Sequence, residues 1–107
     1  MTRKIWMDGA IVDWDNAKIH ILTHSLHYGT AIFEGIRCYK TIEGLSIFRL
    51  NDHVQRLMDG CKIYYMNLKY SAKQIKEAIL ETVRINGTEN YYVRPIVYYG
   101  YGKMGVN

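Results

Sequence analysis

Ala31-Ile-Phe-Glu-Gly-Ile-Arg-Cys-Tyr39, Thr41-Ile-Glu-Gly44 and Leu45-Ser-Ile-Phe-Arg49 read in order as a strand, a turn and a returning strand. Gly35 lies inside the first strand, where a glycine signals either a bulge or the close approach of another group to the backbone. Two helices follow. Asn51 has the chemistry of an N-cap, and behind it Val54, Leu57, Met58, Cys61 and Tyr65 recur at helical spacing. Ser71-Ala-Lys-Gln74 spells a capping box that opens the second helix. Its apolar face is Ile75, Ala78, Ile79, Thr82 and Val83, and Asn86-Gly87 stops it. Tyr91-Tyr-Val-Arg-Pro-Ile-Val-Tyr-Tyr99 is a long final strand, with Pro95 where no ladder donor is required.

Towards the N-terminus, Asp8-Gly9 separates two apolar runs, Lys4–Met7 and Ala10–Asp13. That dipeptide is a strong hairpin signal, because a type I′ turn needs two consecutive residues at positive φ. Trp14-Asp15-Asn16 reads as a turn, and residues 18–28 as loop with room for short helical turns. The order β-β-(loop)-β-β-α-α-β predicts an α+β domain: a largely antiparallel sheet with two helices packed on one face.

With 107 residues the chain is one domain, spanning 1–107. Hydrophobic residues make up 49% and charged residues 22%, which excludes a disordered chain. No apolar run approaches the roughly 18–20 residues of a membrane span. The start, MTRKIWMDGA, lacks the apolar core of a signal peptide. Cys38 and Cys61 form no metal or redox motif and fit a reducing cytoplasm. The net charge of +4 is scattered; Lys69, Lys73 and Lys76 are interleaved with Glu77 and Glu81, as on a solvated helix face. Tyrosine, 10 of 107 residues, suits pockets and interfaces with one wet end.

His24-x-x-His27 offers two imidazoles, but no third metal ligand stands at a recognised spacing. Ser25 with Asp13 or Asp15 can be imagined as a hydrolytic triad, a matter of geometry that residue types do not establish. Gly100-Tyr-Gly-Lys-Met-Gly105 spells G-x-G-x-x-G after a strand, without the helix that a dinucleotide site needs. Two arginines stand apart. Arg56, beside the core positions of the first helix, either snorkels or grips an anion such as a phosphate. Arg94 shares a strand face with Tyr92 and Ile96; it either cradles a carboxylate or pairs with a glutamate across the sheet.

Trp6-Met-Asp-Gly9, Lys18-Ile-His, Thr23-His-Ser-Leu-His-Tyr-Gly29, Ile32-Phe-Glu-Gly-Ile-Arg-Cys-Tyr39, Ile47-Phe-Arg-Leu, His53-Val-Gln-Arg-Leu57, Tyr92-Val-Arg-Pro95 and Met104-Gly-Val-Asn107 together resemble the N-terminal domain of branched-chain amino acid aminotransferases. These are fold-type-IV enzymes that use pyridoxal 5′-phosphate. The likeness covers nearly the whole chain in order, and it fits the branched-chain group better than D-amino acid transaminases or aminodeoxychorismate lyases. It implies that Arg56 holds the cofactor phosphate and that Phe33 walls the pocket for the substrate side chain. It implies that Tyr92 reads the substrate α-carboxylate, and Arg94 the distal carboxylate of glutamate or 2-oxoglutarate. It also implies that Tyr28 and Val106 reach across a dimer interface into the neighbouring subunit's pocket.

The lysine that holds the cofactor covalently and moves the proton lies, in such enzymes, in a C-terminal domain, and no lysine here matches its motif. The resemblance therefore implies that no residue of this chain is catalytic. It also implies a small-domain fragment, inert alone, whose partners are small-molecule substrates, its own C-terminal domain and a second copy in a homodimer or higher homo-oligomer. Neither nucleic acid nor membrane is implied. The reading from a different class is a non-catalytic α+β module that holds single-stranded nucleic acid on tyrosine and basic residues; here the basic residues are not interleaved with the tyrosines. The aminotransferase reading requires Arg56 and Arg94 to converge on one hollow.

Overall fold

The computed structural model describes residues 3–100. Strands β1 (Lys4–Met7) and β2 (Ala10–Asp13) form the expected hairpin, with Met7 opposite Ala10 and a two-residue loop. Asp8 at φ 51° and Gly9 at φ 96° supply the two positive φ angles the turn demands. A 3-10 turn, Trp14–Asn16, follows. Helix α1 (His24–Tyr28) occupies part of the segment whose sequence shows no clear period.

Next come β3 (Ala31–Phe33), β4 (Ile36–Thr41) and β5 (Gly44–Ile47), helices α2 (Leu50–Ile63) and α3 (Ala72–Asn86), then β6 (Tyr91–Val93) and β7 (Ile96–Tyr98). Every strand pair is antiparallel. The strands form the β1–β2 hairpin, a β3–β7 pair and a three-stranded sheet in the order β5-β4-β6. The fold is α+β, as the element order predicts.

Both long strands of the sequence reading, 31–39 and 91–99, are interrupted, and at the same place. β3 pairs with β7 through Phe33 opposite Ile96, and β4 pairs with β6 through Ile36 opposite Val93. Two residues on each side are therefore left out of the ladder, Glu34-Gly35 and Arg94-Pro95. Equal numbers on both strands mean that the register is kept and no bulge is present. A single cross-strand bond spans the gap, from Glu34 N to Pro95 O at 3.2 Å.

Alternation assigns the two faces of this sheet. Ile36 and Cys38 of β4 are buried, while Arg37 and Tyr39 are exposed. The buried face meets Val54 and Leu57 of α2 and Ile75, Ile79 and Val83 of α3, which together form the core. Ile32, Leu45, Ile47, Tyr91, Val93 and Val97 pack around it from the remaining strands. The two helices thus cover one face, and the opposite face carries Phe33, Arg37, Tyr39, Tyr92 and Arg94, all exposed.

The capping box on α3 is present: Gln74 N donates to Ser71 Oγ at 3.2 Å, and Ser71 N donates to Gln74 Oε1 at 2.8 Å. Asn86, the last residue of α3, is buried and ties the first hairpin down. It accepts from Lys4 N at 2.8 Å and donates to Lys4 O at 3.0 Å. Two expectations for α2 are corrected. Asn51 is not the N-cap, because the helix opens at Leu50, two residues earlier than a cap at Asn51 would place it. Arg49 occupies the cap position at φ 51°, with its Nε donating to Asp52 Oδ2 at 2.7 Å. Asp52 in the first turn favours the positive helix end.

Tyr65 does not lie on the helix face either. Helix α2 ends at Ile63, and Tyr65 turns left-handed at φ 56° with 91% of its surface exposed. Tyr65 N donates to Lys62 O at 3.2 Å and Met66 N to Cys61 O at 2.8 Å. Those two bonds define a Schellman cap in which Tyr65 stands where glycine is usual and Met66 takes the buried place. A left-handed conformation costs an L-residue roughly 1–2 kcal/mol. Tyr65→Gly is therefore expected to stabilise the fold by about 1 kcal/mol, less what the flexible glycine loses on folding. A rise in the urea midpoint at constant m-value checks this; a fall would show that the exposed ring contributes more than the strain.

Candidate active site: the paired strand break

The residues singled out by sequence divide into a cluster, a separate ion pair and outliers. Phe33 ends β3, and Arg94 follows β6 directly across the gap. The Arg94 guanidinium lies 4.5 Å from the centre of the Phe33 ring and 5.3 Å from that of Tyr92. Its Nη2 donates to the Tyr92 hydroxyl at 3.0 Å. Phe33, Tyr92 and Arg94 are thus one assembly, held by cation–π stacking and a hydrogen bond. Among the described residues no carboxylate pairs with Arg94, so the cross-strand glutamate partner is not what is found. A solvent-facing guanidinium without a counter-ion, beside a tyrosine hydroxyl and an aromatic wall, can receive a carboxylate.

Gly35 is required by Tyr92. A Cβ on Gly35 would stand 1.9 Å from the Tyr92 hydroxyl oxygen and 2.6 Å from the ring carbon that bears it. No side chain fits there unless Tyr92 moves. Of the two meanings of a glycine within a strand, the close approach is the one realised.

Arg56 lies on α2 and reaches the other residue of the break. Its Nε donates to Glu34 Oε2 at 2.9 Å and its Nη2 to Glu34 Oε1 at 2.7 Å. His53, one turn earlier on the same helix, places Nδ1 2.9 Å from Glu34 Oε1. Glu34 is 7% exposed, whereas the Arg56 side chain is 73% exposed. The hydrogen bonds from Arg56 hold the Glu34 carboxyl below the usual carboxylate range; burial pushes the other way, and His53 adds to the lowering. Glu34 in turn raises the Arg56 pKa. The Nε–Nη2 edge of Arg56 is taken, and the Nη1 end makes no hydrogen bond among the described residues. A guanidinium fixed along one edge and exposed at the other fits an incoming phosphate.

The cleft beside Arg94 does not bring the two guanidiniums together. An open cleft of about 1230 Å³ takes Tyr92 and Arg94 into its lining but neither Arg56 nor Phe33. Arg56 and Arg94 are linked instead through consecutive residues: Arg56 grips Glu34, and Arg94 stacks on Phe33.

Tyr28 ends α1, 70% exposed, with its ring 4.5 Å from that of His24. Val106 lies outside the described residues, as does most of the glycine-rich segment that begins at Gly100. The two histidines of α1 have structural partners: His24 Nδ1 lies 2.8 Å from Thr30 Oγ1, and His27 Nε2 lies 2.9 Å from Ile21 O. The Ser25 hydroxyl is occupied by the Thr30 and Tyr99 carbonyls at 2.6 and 3.0 Å. Among the described residues no three His, Cys, Asp or Glu side chains gather to hold a metal ion. No helix there is long and apolar enough to cross a membrane.

Sequence reasoning gave Glu34 no role. Its signal was present: a single carboxylate inside an apolar strand run, with His53 and Arg56 spaced i, i+3 on the next helix.

An α+β domain with two exposed guanidiniums, one braced by the buried Glu34 and the other without a carboxylate partner among the described residues, has the chemistry to receive small anions. The sequence model of the Amino-transferase class IV family matches residues 31–106, and the chain belongs to that family. It is 45% identical over 103 residues to the branched-chain-amino-acid aminotransferase of Salmonella typhimurium, covering 96% of this chain and 33% of that protein. The Pseudomonas aeruginosa branched-chain-amino-acid aminotransferase is 48% identical over 102 residues, covering 95% and 33%. Among solved structures, the Escherichia coli branched-chain amino acid aminotransferase superposes with a TM-score of 0.91 at 42% identity, covering 100% of this chain and 36% of that one. Another branched-chain amino acid aminotransferase, solved in complex with N-(5′-phosphopyridoxyl)-L-glutamate, gives 0.92 at 44% identity, covering 100% and 36%. The chain spans about a third of the length of the curated relatives it matches. The family match leaves the nucleic-acid module without support.

The Glu34 shift has a consequence for stability. A carboxyl whose pKa is lowered by folding stabilises the native state above its unfolded pKa of about 4.3, and that contribution is lost as pH falls through the lower folded value. Glu34→Gln is expected to cost about 1–3 kcal/mol at pH 7, as for a buried hydrogen-bonded group. The gap from the native protein should hold from pH 7 to about pH 5 and close below about pH 4. Denaturation at a series of pH values measures it; a gap that persists undiminished at pH 3 contradicts the assignment.

Proposed function

We propose that residues 1–107 are the N-terminal small domain of a branched-chain amino acid aminotransferase. The whole protein would move the amino group between leucine, isoleucine or valine and 2-oxoglutarate with pyridoxal 5′-phosphate. The names of the relatives support the substrate class, and the related enzyme's complex with a phosphopyridoxyl-glutamate adduct supports the cofactor. Nothing in the site favours a D-amino acid transaminase or an aminodeoxychorismate lyase over this reading.

When bound, the cofactor supplies the electron sink for removing a proton from the substrate Cα. The residues of this chain bind and orient. Arg56 holds the phosphate with the end of its guanidinium that Glu34 leaves free. Phe33 forms an apolar wall for a branched side chain. The Tyr92 hydroxyl and the Arg94 guanidinium donate to carboxylates, Tyr92 to the α-carboxylate and Arg94 to the distal one of glutamate or 2-oxoglutarate. One pocket can thus take leucine and glutamate alike, because Arg94 offsets the cost of burying the second carboxylate. No proton-moving lysine is assigned in this chain; that residue would belong to the C-terminal domain, this chain's first partner.

Tyr28 and Val106 would line the pocket of a neighbouring subunit in a homodimer or higher homo-oligomer. Ile21, Leu22, Leu26 and Tyr28, each more than half exposed around α1, support such a covered surface. Cytoplasmic residence is supported by the unpaired, buried Cys38 and Cys61, whose thiols burial pushes up in pKa.

The observation that carries this reading is Arg94, without a counter-ion among the described residues, stacked on Phe33 and bonded to Tyr92. In the whole protein, Arg94→Ala is expected to lower kcat/KM for glutamate and 2-oxoglutarate about ten-fold or more, the worth of a charge-assisted hydrogen bond, and to affect leucine far less. Steady-state kinetics on both substrates test it, and equal losses would remove the role given to Arg94.

A further inference from the structure

We infer that Glu34 is a positioning residue for phosphate recognition, acting through Arg56. The inference rests on the proposed reading of Arg56 as the group that grips the cofactor phosphate.

Three features single out this carboxylate. Glu34 is buried at 7%; it has no ladder partner of its own but keeps the alternation of the strands on either side, so its side chain enters the helix-covered face beside Ile36. It meets Arg56 edge-on: Nε to Oε2 at 2.9 Å, Nη2 to Oε1 at 2.7 Å, with Nε also 3.1 Å from Oε1. His53 Nδ1 completes the set at 2.9 Å from Oε1. A carboxylate that receives both edge donors of one guanidinium fixes its plane as well as its place.

The rest of Arg56 follows from that restraint. Its side chain is 73% exposed, and a free arginine so exposed would sample many rotamers. Held by Glu34, it presents the Nη1 end in one orientation, so a phosphate meets a donor pair already ordered. The ordering entropy is then met on folding rather than on binding. Glu34 touches neither cofactor nor substrate in this account. His53 serves Glu34 as Glu34 serves Arg56, by restricting the carboxylate's rotation.

A residue that merely stabilised the domain would weaken every ligand alike, whereas a residue that orients Arg56 affects the phosphate alone. The test uses the whole protein in four forms: native, Glu34→Gln, Arg56→Ala and the double variant. Equilibrium dissociation constants are measured for pyridoxal 5′-phosphate and for pyridoxal, which lacks the phosphate, beside the melting temperature of each ligand-free form. Glu34→Gln is expected to weaken the phosphorylated ligand about ten-fold or more, as loss of a supporting group behind a ligand-binding side chain does elsewhere, and to leave pyridoxal within about two-fold. In the Arg56→Ala background, Glu34→Gln should add no further loss.

Should Glu34→Gln fail to fold, Glu34→Asp keeps the charge, shortens the reach and is expected to give the same phosphate-selective loss in smaller measure. Equal weakening of both ligands, or a further loss on top of Arg56→Ala, overturns the inference and leaves the role of Arg56 standing. If Arg56→Ala itself leaves the phosphorylated ligand unaffected, the reading of Arg56 falls, and the role of Glu34 with it.

Discussion

Two facing strands stop pairing at the same two positions, and one hydrogen bond, Glu34 N to Pro95 O at 3.2 Å, holds them together there. The remaining features of the site depend on that joint. Pro95 has no N–H to return, so the ladder cannot continue through it. Gly35 has no side chain, so the Tyr92 ring can lie across it. The ladder resumes in unchanged register on both sides, Phe33 with Ile96 and Ile36 with Val93, so the core face is preserved through the gap. The break therefore removes Glu34 and Arg94 from the hydrogen-bond ladder while each keeps its face of the sheet, without slipping the strands that carry Ile32, Ile36 and Val93 to the core.

The consequence is electrostatic. A regular strand would alternate its side chains across the sheet, which sets neighbours on opposite faces. Phe33 and Glu34 keep that alternation through the break: one stacks under Arg94 on the exposed face while the other turns in to meet Arg56. One charge is buried and satisfied by three donor contacts from Arg56 and one from His53, and two guanidiniums remain turned to solvent. A site for anionic ligands needs that imbalance, since a buried carboxylate at Arg94 would neutralise what the ligand has to meet.

Much of this was legible in the residues. The Asp8-Gly9 turn, the capping box at Ser71 and the alternation of Tyr92, Arg94 and Ile96 each follow from local chemistry, and each stands where it was read. The antiparallel α+β order and the helix-covered face follow from those elements. Less visible were features where tertiary contacts override local preference. Asn51 is a good cap by chemistry, but the Arg49–Asp52 pair starts α2 earlier. Tyr65 has the right spacing for the helix face, but Met66 claims the buried site and turns Tyr65 left-handed. Glu34 sits within a recognisable run, yet its role was hidden, because its partners His53 and Arg56 are distant along the chain. The shared hollow expected for Arg56 and Arg94 was an inference about distance, which spacing does not carry.

The account is tested most directly by a crystal structure of the whole protein grown with pyridoxal 5′-phosphate and glutarate, a dicarboxylate that cannot exchange an amino group. The account predicts phosphate oxygens at the Nη1 end of Arg56 with the Glu34 bonds intact, and one glutarate carboxylate on Arg94 while Phe33 still stacks against it. A phosphate bound away from Arg56, or Arg94 turned from the ligand to pair with a protein carboxylate, would contradict it.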